Sequence, residues 1–320
     1  MSTCLIIGGG GYIGHNWGKR LAARKRFDRI VLADMRPPAG PLADGCEFVT
    51  CDVRQPLKFD GLKPEWIFNF AAVHREPGHA REEYFDTNIA GANHACAFAE
   101  RSGCQNILFT SSIAVYGALK QPTAETSPLY PYSPYGISKL CAELIHKGWR
   151  RGGEGRRLHI CRPGVIYGPG DPGNILRMIR AVRKGYFIFP GSRQLRKSYG
   201  YIEGLLDSFE FVMDREENRL TYNYVERETE TLGTLVQMVQ AHLGKRTPTL
   251  TAPLPLLTAA AALAQLVTGG RSPIHPVRVR KTASSTHVVP EALLKMGFDF
   301  RYDFAASLKD WAKKSPEDFR

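Results

Sequence analysis

Tyr135 and Lys139 stand four positions apart in Tyr-Gly-Ile-Ser-Lys, a spacing that on a helix sets phenol and ammonium on one face. An isolated phenol titrates near pH 10, so it exchanges a proton with substrate near neutrality only where a neighbouring cation favours phenolate. Lys139 is the candidate for that cation. Upstream, an apolar run ends in Thr110-Ser111-Ser112. This puts hydroxyls at the carboxyl edge of a strand, where open α/β sheets bind ligands; Ser112 is the candidate among them.

A second constellation lies at the amino end, in Ile6-Ile7-Gly8-Gly9-Gly10-Gly11-Tyr12-Ile13-Gly14. Gly8, Gly11 and Gly14 fit the G-x-x-G-x-x-G variant of the dinucleotide fingerprint, and Gly9, Gly11 and Gly14 fit G-x-G-x-x-G. Such glycines permit a tight turn, let backbone approach a pyrophosphate and pack a helix on a sheet. The helix opening at Tyr12 and Ile13 then points its amino end at the phosphates. Asp34, twenty positions after Gly14, suits both ribose hydroxyls of the adenosine and repels a 2′-phosphate, which favours NAD over NADP. Arg36 is the counter-indication, since a guanidinium there would welcome that phosphate. Asp52 and Val53 follow the third expected strand, where Asp52 serves either the adenine edge or a helix N-cap.

The elements that position these groups alternate regularly. Strands are expected at Cys4–Ile7, Ile30–Ala33, Glu47–Thr50, Trp66–Ala71, Ile107–Thr110 and Leu158–Cys161, with helices at Ile13–Lys25, Ala80–Ser102 and Tyr135–Trp149. That pattern predicts an α/β Rossmann fold, a doubly wound parallel sheet with a smaller C-terminal substrate-binding lobe. Residues 1–167 form the expected NAD-binding domain and 168–320 mainly the lobe, with a segment at about 200–225 returning to the sheet. The apolar stretch Pro253–Gly270 is short of the roughly 20 residues a spanning helix needs and reads as a buried or surface helix. The polar tail Asp310–Arg320 reads as a solvated end.

Lys and Arg total 43 against 31 Asp and Glu, a net charge of +12, which suggests an anionic partner. Seven scattered cysteines without a Cys-x-x-Cys pair indicate neither a disulfide framework nor a zinc site. They fit a reduced cytoplasmic setting, as does an amino end without a signal-peptide pattern. The basic residues are dispersed and lack interleaved aromatics, so no nucleic-acid platform is expected.

Taken in order, the glycine loop, Asp34, Asn69-Phe70-Ala71-Ala72, Asn88, Ser111-Ser112-Ile113-Ala114-Val115-Tyr116-Gly117, Tyr135-x-x-x-Lys139 and Arg162-Pro163-Gly164-Val165-Ile166-Tyr167-Gly168-Pro169 resemble the extended short-chain dehydrogenase/reductases. More narrowly, they resemble the nucleotide-sugar epimerase/dehydratase family of UDP-galactose 4-epimerase type. The resemblance implies that Tyr135 takes a proton from a sugar hydroxyl, that Ser112 hydrogen-bonds the reacting oxygen, and that Lys139 binds the nicotinamide ribose and lowers the phenol pKa. It implies that Asn88 orders the cofactor site and that Ala71 and Ala72 line the dinucleotide path, although packing alone would also account for these three. It implies a nucleotide-diphosphate sugar substrate and a homodimer formed through the helices at Ala80–Ser102 and Tyr135–Trp149; the short apolar stretch argues against integral membrane association and leaves room for peripheral contact.

Departures from the family pattern narrow the reaction. The dehydratase Asp-Glu pair after the catalytic Ser/Thr is replaced by Ile113-Ala114, which donates no proton, and the cysteine used in double epimerisation is replaced by Ala114. A 4-epimerase or a 4-keto-sugar reductase remains. Val165 replaces the family's substrate-touching Asn, and Lys197 stands where a pyrophosphate-gripping Arg is usual, exchanging a bidentate fork for a point charge. Arg278 resembles a second phosphate-gripping Arg, against a plain surface charge. His74 fits either a sugar contact or a structural histidine. Tyr116, Tyr167, Tyr199 and Tyr201 suit stacking on a ligand or packing. Val165 and the apolar Pro253–Gly270 stretch also resemble 3β-hydroxysteroid dehydrogenase-like relatives, and a lipid-linked sugar would reconcile the two likenesses. A non-catalytic NAD-binding regulator is the remaining alternative.

Overall fold

Runs rich in Ile, Leu, Val and Phe at successive positions suit strands covered on both faces. The computed structural model, which describes residues 1–118, 121–271 and 275–320, assembles them into one seven-stranded parallel sheet. In chain order the first half runs β1 (Thr3–Ile7), α1 (Tyr12–Ala23), β2 (Arg29–Asp34), β3 (Cys46–Thr50), β4 (Trp66–Asn69), α2 (Arg81–Ser102), β5 (Asn106–Thr110), α3 (Pro134–Arg151) and β6 (Arg157–Pro163). The remainder runs β7 (Val165–Tyr167), α4 (Asn174–Lys184), β8 (Ile188–Pro190), β9 (Tyr199–Tyr201), α5 (Ile202–Met213), β10 (Arg219–Tyr224) and α6 (Leu232–His242). It closes with β11 (Leu250–Ala252), α7 (Leu254–Val267), α8 (Pro276–Thr282), α9 (Glu291–Lys295) and α10 (Phe304–Lys314).

The sheet order is β3-β2-β1-β4-β5-β6-β10, a Rossmann arrangement extended by β10, whose strand lies beside β6 with Tyr222 opposite Cys161. Sequence order reverses between β1 and β4, so their carboxyl ends part and open a crevice. Trp17 of α1 and Phe209 of α5 meet edge to face at 5.4 Å on one side of the sheet, and Phe70 stacks on Phe209 at 5.3 Å. On the other side α2 lies against α3, burying Ala92, Ala95 and Ala99 of the former with Ala142 of the latter.

Several boundaries differ from the sequence reading for identifiable reasons. β4 stops at Asn69 because the chain then turns toward the glycine loop, leaving Ala71 and Ala72 in that turn. α1 stops at Ala23, with Lys25 in a left-handed conformation (φ 52°). The tail is no solvated end: Trp311 is fully buried and its indole N–H donates to Asp318 at 2.9 Å. Pro253–Gly270 does contain a helix, α7, but among its residues only Ala261 is buried. Tyr116, Tyr167, Tyr199 and Tyr201 are all buried and pack in the core, which removes them as ligand-stacking rings.

Phe209 is wholly buried between the sheet and α1. Phe209→Ala is therefore expected to cost about 3–5 kcal/mol by creating a cavity, whereas Leu266→Ala on the exposed face of α7 stays within about 0.5 kcal/mol. Urea unfolding midpoints of the two variants check the contrast.

Candidate active site

The glycine run turns immediately after β1, and its shape depends on having no Cβ. Gly8 has φ 84°, and a Cβ there would lie 2.5 Å from the Ala71 amide nitrogen; at Gly14 it would lie 2.3 Å from the Gly8 carbonyl oxygen. Gly11 caps α1 without any side-chain bond to its first amides, so the amino end of that helix keeps its donors for an anion. Asp34 at the end of β2 accepts from the Gly10 amide at 3.1 Å, which fixes a carboxylate over the turn. These groups fit a dinucleotide: a cradle with no room for side chains, an uncapped helix and an acid one strand away. Arg36 lies exposed just beyond, its amide directed at the other Asp34 oxygen at 3.5 Å.

Asp52 does not take the helix N-cap role. No helix follows it, and both of its oxygens are taken by Arg54 at 2.6–3.0 Å. Bonding to Arg54 holds its carboxyl below the usual range. Val53 is buried against Gly91 of α2, and its carbonyl is engaged by His94 at 2.8 Å.

Ser112, Tyr135 and Lys139 converge at the carboxyl edge of β5. Ser112 caps a short 3-10 turn, accepting from the Ala114 amide at 3.1 Å. Burial raises the Tyr135 phenol pKa, the adjacent Ser112 hydroxyl pulls it down, and the Glu76 charge raises it again. Lys139 is almost completely buried, with its ammonium 4.3 Å from the centre of the Phe109 ring. Burial lowers its pKa to about 7, against an upward pull from Glu143. Ser112 and Glu76 both act on the phenol, and Phe109 and Glu143 both act on Lys139.

Beneath the pair is a buried polar network that the motifs did not reveal. Glu143, one turn beyond Lys139, takes two bonds of 2.8 Å from Arg162 on β6 and one of 3.1 Å from Lys147. Burial pushes the Glu143 carboxyl up, but the bonds and charge of Arg162 outweigh it and hold the pKa below the usual value. Arg162 also donates to Tyr116 at 3.0 Å, and Tyr116 donates to Asn223 on β10 at 2.6 Å. His146 stacks on Phe109 at 4.2 Å. Burial lowers its pKa to about 4, so it is neutral: Nδ1 faces the Ala142 carbonyl at 2.7 Å and Nε2 faces Asn69 at 3.3 Å. The available signal was spacing: Tyr135, Lys139, Glu143 and His146 recur every three or four residues, which is one face of α3.

Asn88 of α2 ties the loop after β4 to α3. Its amide group closes two bonds with the Val73 backbone, at 2.9 and 3.1 Å, and donates to Ser138 at 2.8 Å. His74 follows on that loop, exposed. The remaining candidates lie across the cleft. Val165 on β7 is 43% exposed. The Lys197 ammonium donates to the Lys281 carbonyl at 3.0 Å and to that of Ser284, which anchors the carboxyl end of α8. Arg278 of α8 donates to the Pro77 carbonyl at 3.2 Å, and Lys281 pairs with Glu76 at 2.5 Å. Of the substrate candidates, His74 lies on the loop after β4 and Arg278 on α8, which meet through Pro77 and Glu76, while Val165 lies on β7.

All seven cysteines are free thiols. Among the described residues no His, Cys, Asp and Glu group of metal-binding type occurs, and no helix is long and apolar enough to cross a membrane.

Residues 4–224 match the model of the NAD-dependent epimerase/dehydratase family, and the chain belongs to that family. Across 243 residues it is 30% identical to N-acetyl-alpha-D-glucosaminyl-diphospho-ditrans,octacis-undecaprenol 4-epimerase of Escherichia coli O157:H7, covering 74% of this chain and 73% of that one. It is 34% identical over 154 residues to UDP-glucose 4-epimerase of Lacticaseibacillus casei, covering 45% of each. The fold is shared with the UDP-glucose 4-epimerase of Thermotoga maritima solved with UDP-glucose (TM-score 0.78, 17% identity, 99% of this chain and 100% of that one). It is shared equally with the UDP-glucuronic acid 4-epimerase of Bacillus cereus solved with NAD (TM-score 0.77, 16% identity, 99% and 100%).

Two outcomes follow from the buried charges. Between about pH 7 and 10.5 Lys139 holds fewer protons folded than unfolded, so stability rises with pH across that window. Lys139→Met is expected to flatten that rise, read as urea midpoints at pH values from 7 to 9. Glu143→Gln strands Arg162 in the interior and is expected to cost about 3–5 kcal/mol, measured by the same unfolding.

Proposed function

We propose that this member of the NAD-dependent epimerase/dehydratase family is a 4-epimerase acting on a hexose carried by a diphosphate. The observation that carries the reading is the makeup of the site: one phenol, Tyr135, with one hydroxyl, Ser112, followed by Ile113 and Ala114, which offer no second acid or base. Such a site suits oxidation and reduction at a single carbinol carbon rather than dehydration or double epimerisation. The two curated relatives named above are both 4-epimerases by name, which agrees with C4 as the reacting carbon.

In this reading the glycine turn at Gly8, Gly11 and Gly14, the amino end of α1 at Tyr12 and Ile13, and Asp34 hold the dinucleotide. Ala71 and Ala72 line its path, and Asn88 fixes their loop. Bound NAD supplies the hydride acceptor, which later returns the hydride, and a positive charge that draws the Tyr135 phenol toward phenolate. Tyr135 takes the proton from the C4 hydroxyl as the C4–H bond breaks, and gives it back to the ketone oxygen when the opposite face is reduced. Ser112 donates a hydrogen bond to that oxygen throughout, which stabilises the charge developing on it. Lys139 lies one turn beyond Tyr135, placed to meet the nicotinamide ribose with a compact charge. Lys197 holds α8 in place, and α8 brings Arg278 to the diphosphate. Helices α2 and α3 are the proposed dimer face, where Leu144 stands 59% exposed.

The test denatures the purified protein, identifies any released dinucleotide, and offers the intact enzyme C4-epimeric sugar diphosphates. Interconversion of epimers with retained NAD and no net reduction is expected, with Tyr135→Phe slowing turnover by about 10²–10⁴-fold while NAD is still retained. Stoichiometric consumption of reduced cofactor on a 4-keto sugar, with no epimerisation, overturns the reading in favour of a reductase.

A further inference from the structure

α7 inverts the usual pattern of a surface helix. Leu256, Ala259, Ala260, Leu263, Leu266 and Val267 all face solvent, and their spacing traces a single helical face. Ala261, the one buried residue of α7, lies on the opposite side. The helix has no charged residue, so its apolar stripe points outward rather than into the protein. The apolar surface continues into the strand that leads to it: Leu250 of β11 and Ile188 of β8 are register partners, 69% and 44% exposed. Half of the large hydrophobic side chains exposed among the described residues lie between Tyr186 and Val277.

Charge identifies what covers this surface. From Thr231 to Pro290 the sequence contains no Asp or Glu, while Lys245, Arg246, Arg271, Arg278, Arg280 and Lys281 contribute half of the net +12. A second protein surface would satisfy the apolar stripe without needing this purge of acids, whereas an anionic bilayer calls for both features. Fourteen residues make a helix of about 21 Å, too short for a hydrocarbon core of about 30 Å, so α7 would lie in the plane of the surface. α8 packs against α7 and reaches the loop beside Tyr135 through Lys281 and Glu76. The apolar face is therefore two elements from the reaction cleft.

We propose that α7 docks on an anionic lipid bilayer and that the cleft takes its sugar diphosphate from a polyprenyl carrier held in that bilayer. The choice of carrier rests on the epimerase reading above and on the polyprenyl diphosphate sugar in the name of the Escherichia coli relative; the docking does not. The test sediments the full-length protein with vesicles containing phosphatidylglycerol and with vesicles of phosphatidylcholine alone, and compares it with Leu263→Glu/Leu266→Glu and the milder Leu263→Gln. Wild type is expected to sediment with the anionic vesicles, less so in about 0.5 M salt. The double variant is expected to partition at least tenfold more weakly and Leu263→Gln to fall between them. Turnover of a polyprenyl diphosphate sugar embedded in vesicles falls in parallel, while turnover of a soluble UDP-sugar stays unchanged. Absence of wild-type binding, or equal binding by all three proteins, overturns the docking. So does a lipid-free dimer that the double variant converts to monomer, which would assign the face to a second copy of the chain. Vesicle binding without epimerisation of either carrier leaves the docking standing and overturns the epimerase reading. Vesicle binding with equal turnover of the embedded substrate by wild type and double variant overturns the polyprenyl carrier alone.

Discussion

Glu143 is the one carboxylate on which the catalytic helix depends. It sits fully buried, bonded by Arg162 from below and by Lys147, with Lys139 one turn back, and Arg162 would be stranded in the interior without it. Its bonds to Arg162 join α3 to β6, and the chain of bonds continues through Tyr116 to Asn223 on β10. The strand that returns from the C-terminal half of the chain is thereby fastened to the helix that bears the phenol. The position of Tyr135 is a property of this ion pair as much as of its own surroundings.

Charge is distributed unevenly about the reacting groups. On the protein side, burial lowers the Lys139 pKa to about 7 and keeps His146 neutral. On the cleft side Glu76 raises the phenol and is paired by Lys281 of α8. A ligand that draws α8 toward its own phosphates would therefore also alter the field at Tyr135. The proposed diphosphate contact of α8 and the field at the phenol would thus meet in one ion pair, Lys281 with Glu76.

The sheet and its crevice were legible because buried parallel strands are read as apolar runs, and glycines without room for a Cβ leave a spaced signature. Ser112, Tyr135 and Lys139 were legible for the same reason, since each sits at a strand end or on a helix face. Arg162 was visible only as part of a motif; its bond to Glu143 spans nineteen positions and two elements, which no local pattern encodes. Asp52 misled because an acid after a strand resembles a helix cap until a neighbouring arginine claims it. The tail misled because its polar composition conceals one buried tryptophan.

A Cβ at Gly8 would lie 2.5 Å from the Ala71 amide nitrogen, so no side chain fits between the turn that follows β1 and the turn that follows β4. Because Asn88 ties the turn after β4 to Ser138 of α3, a substitution in the glycine turn is felt as far as the helix that bears the phenol.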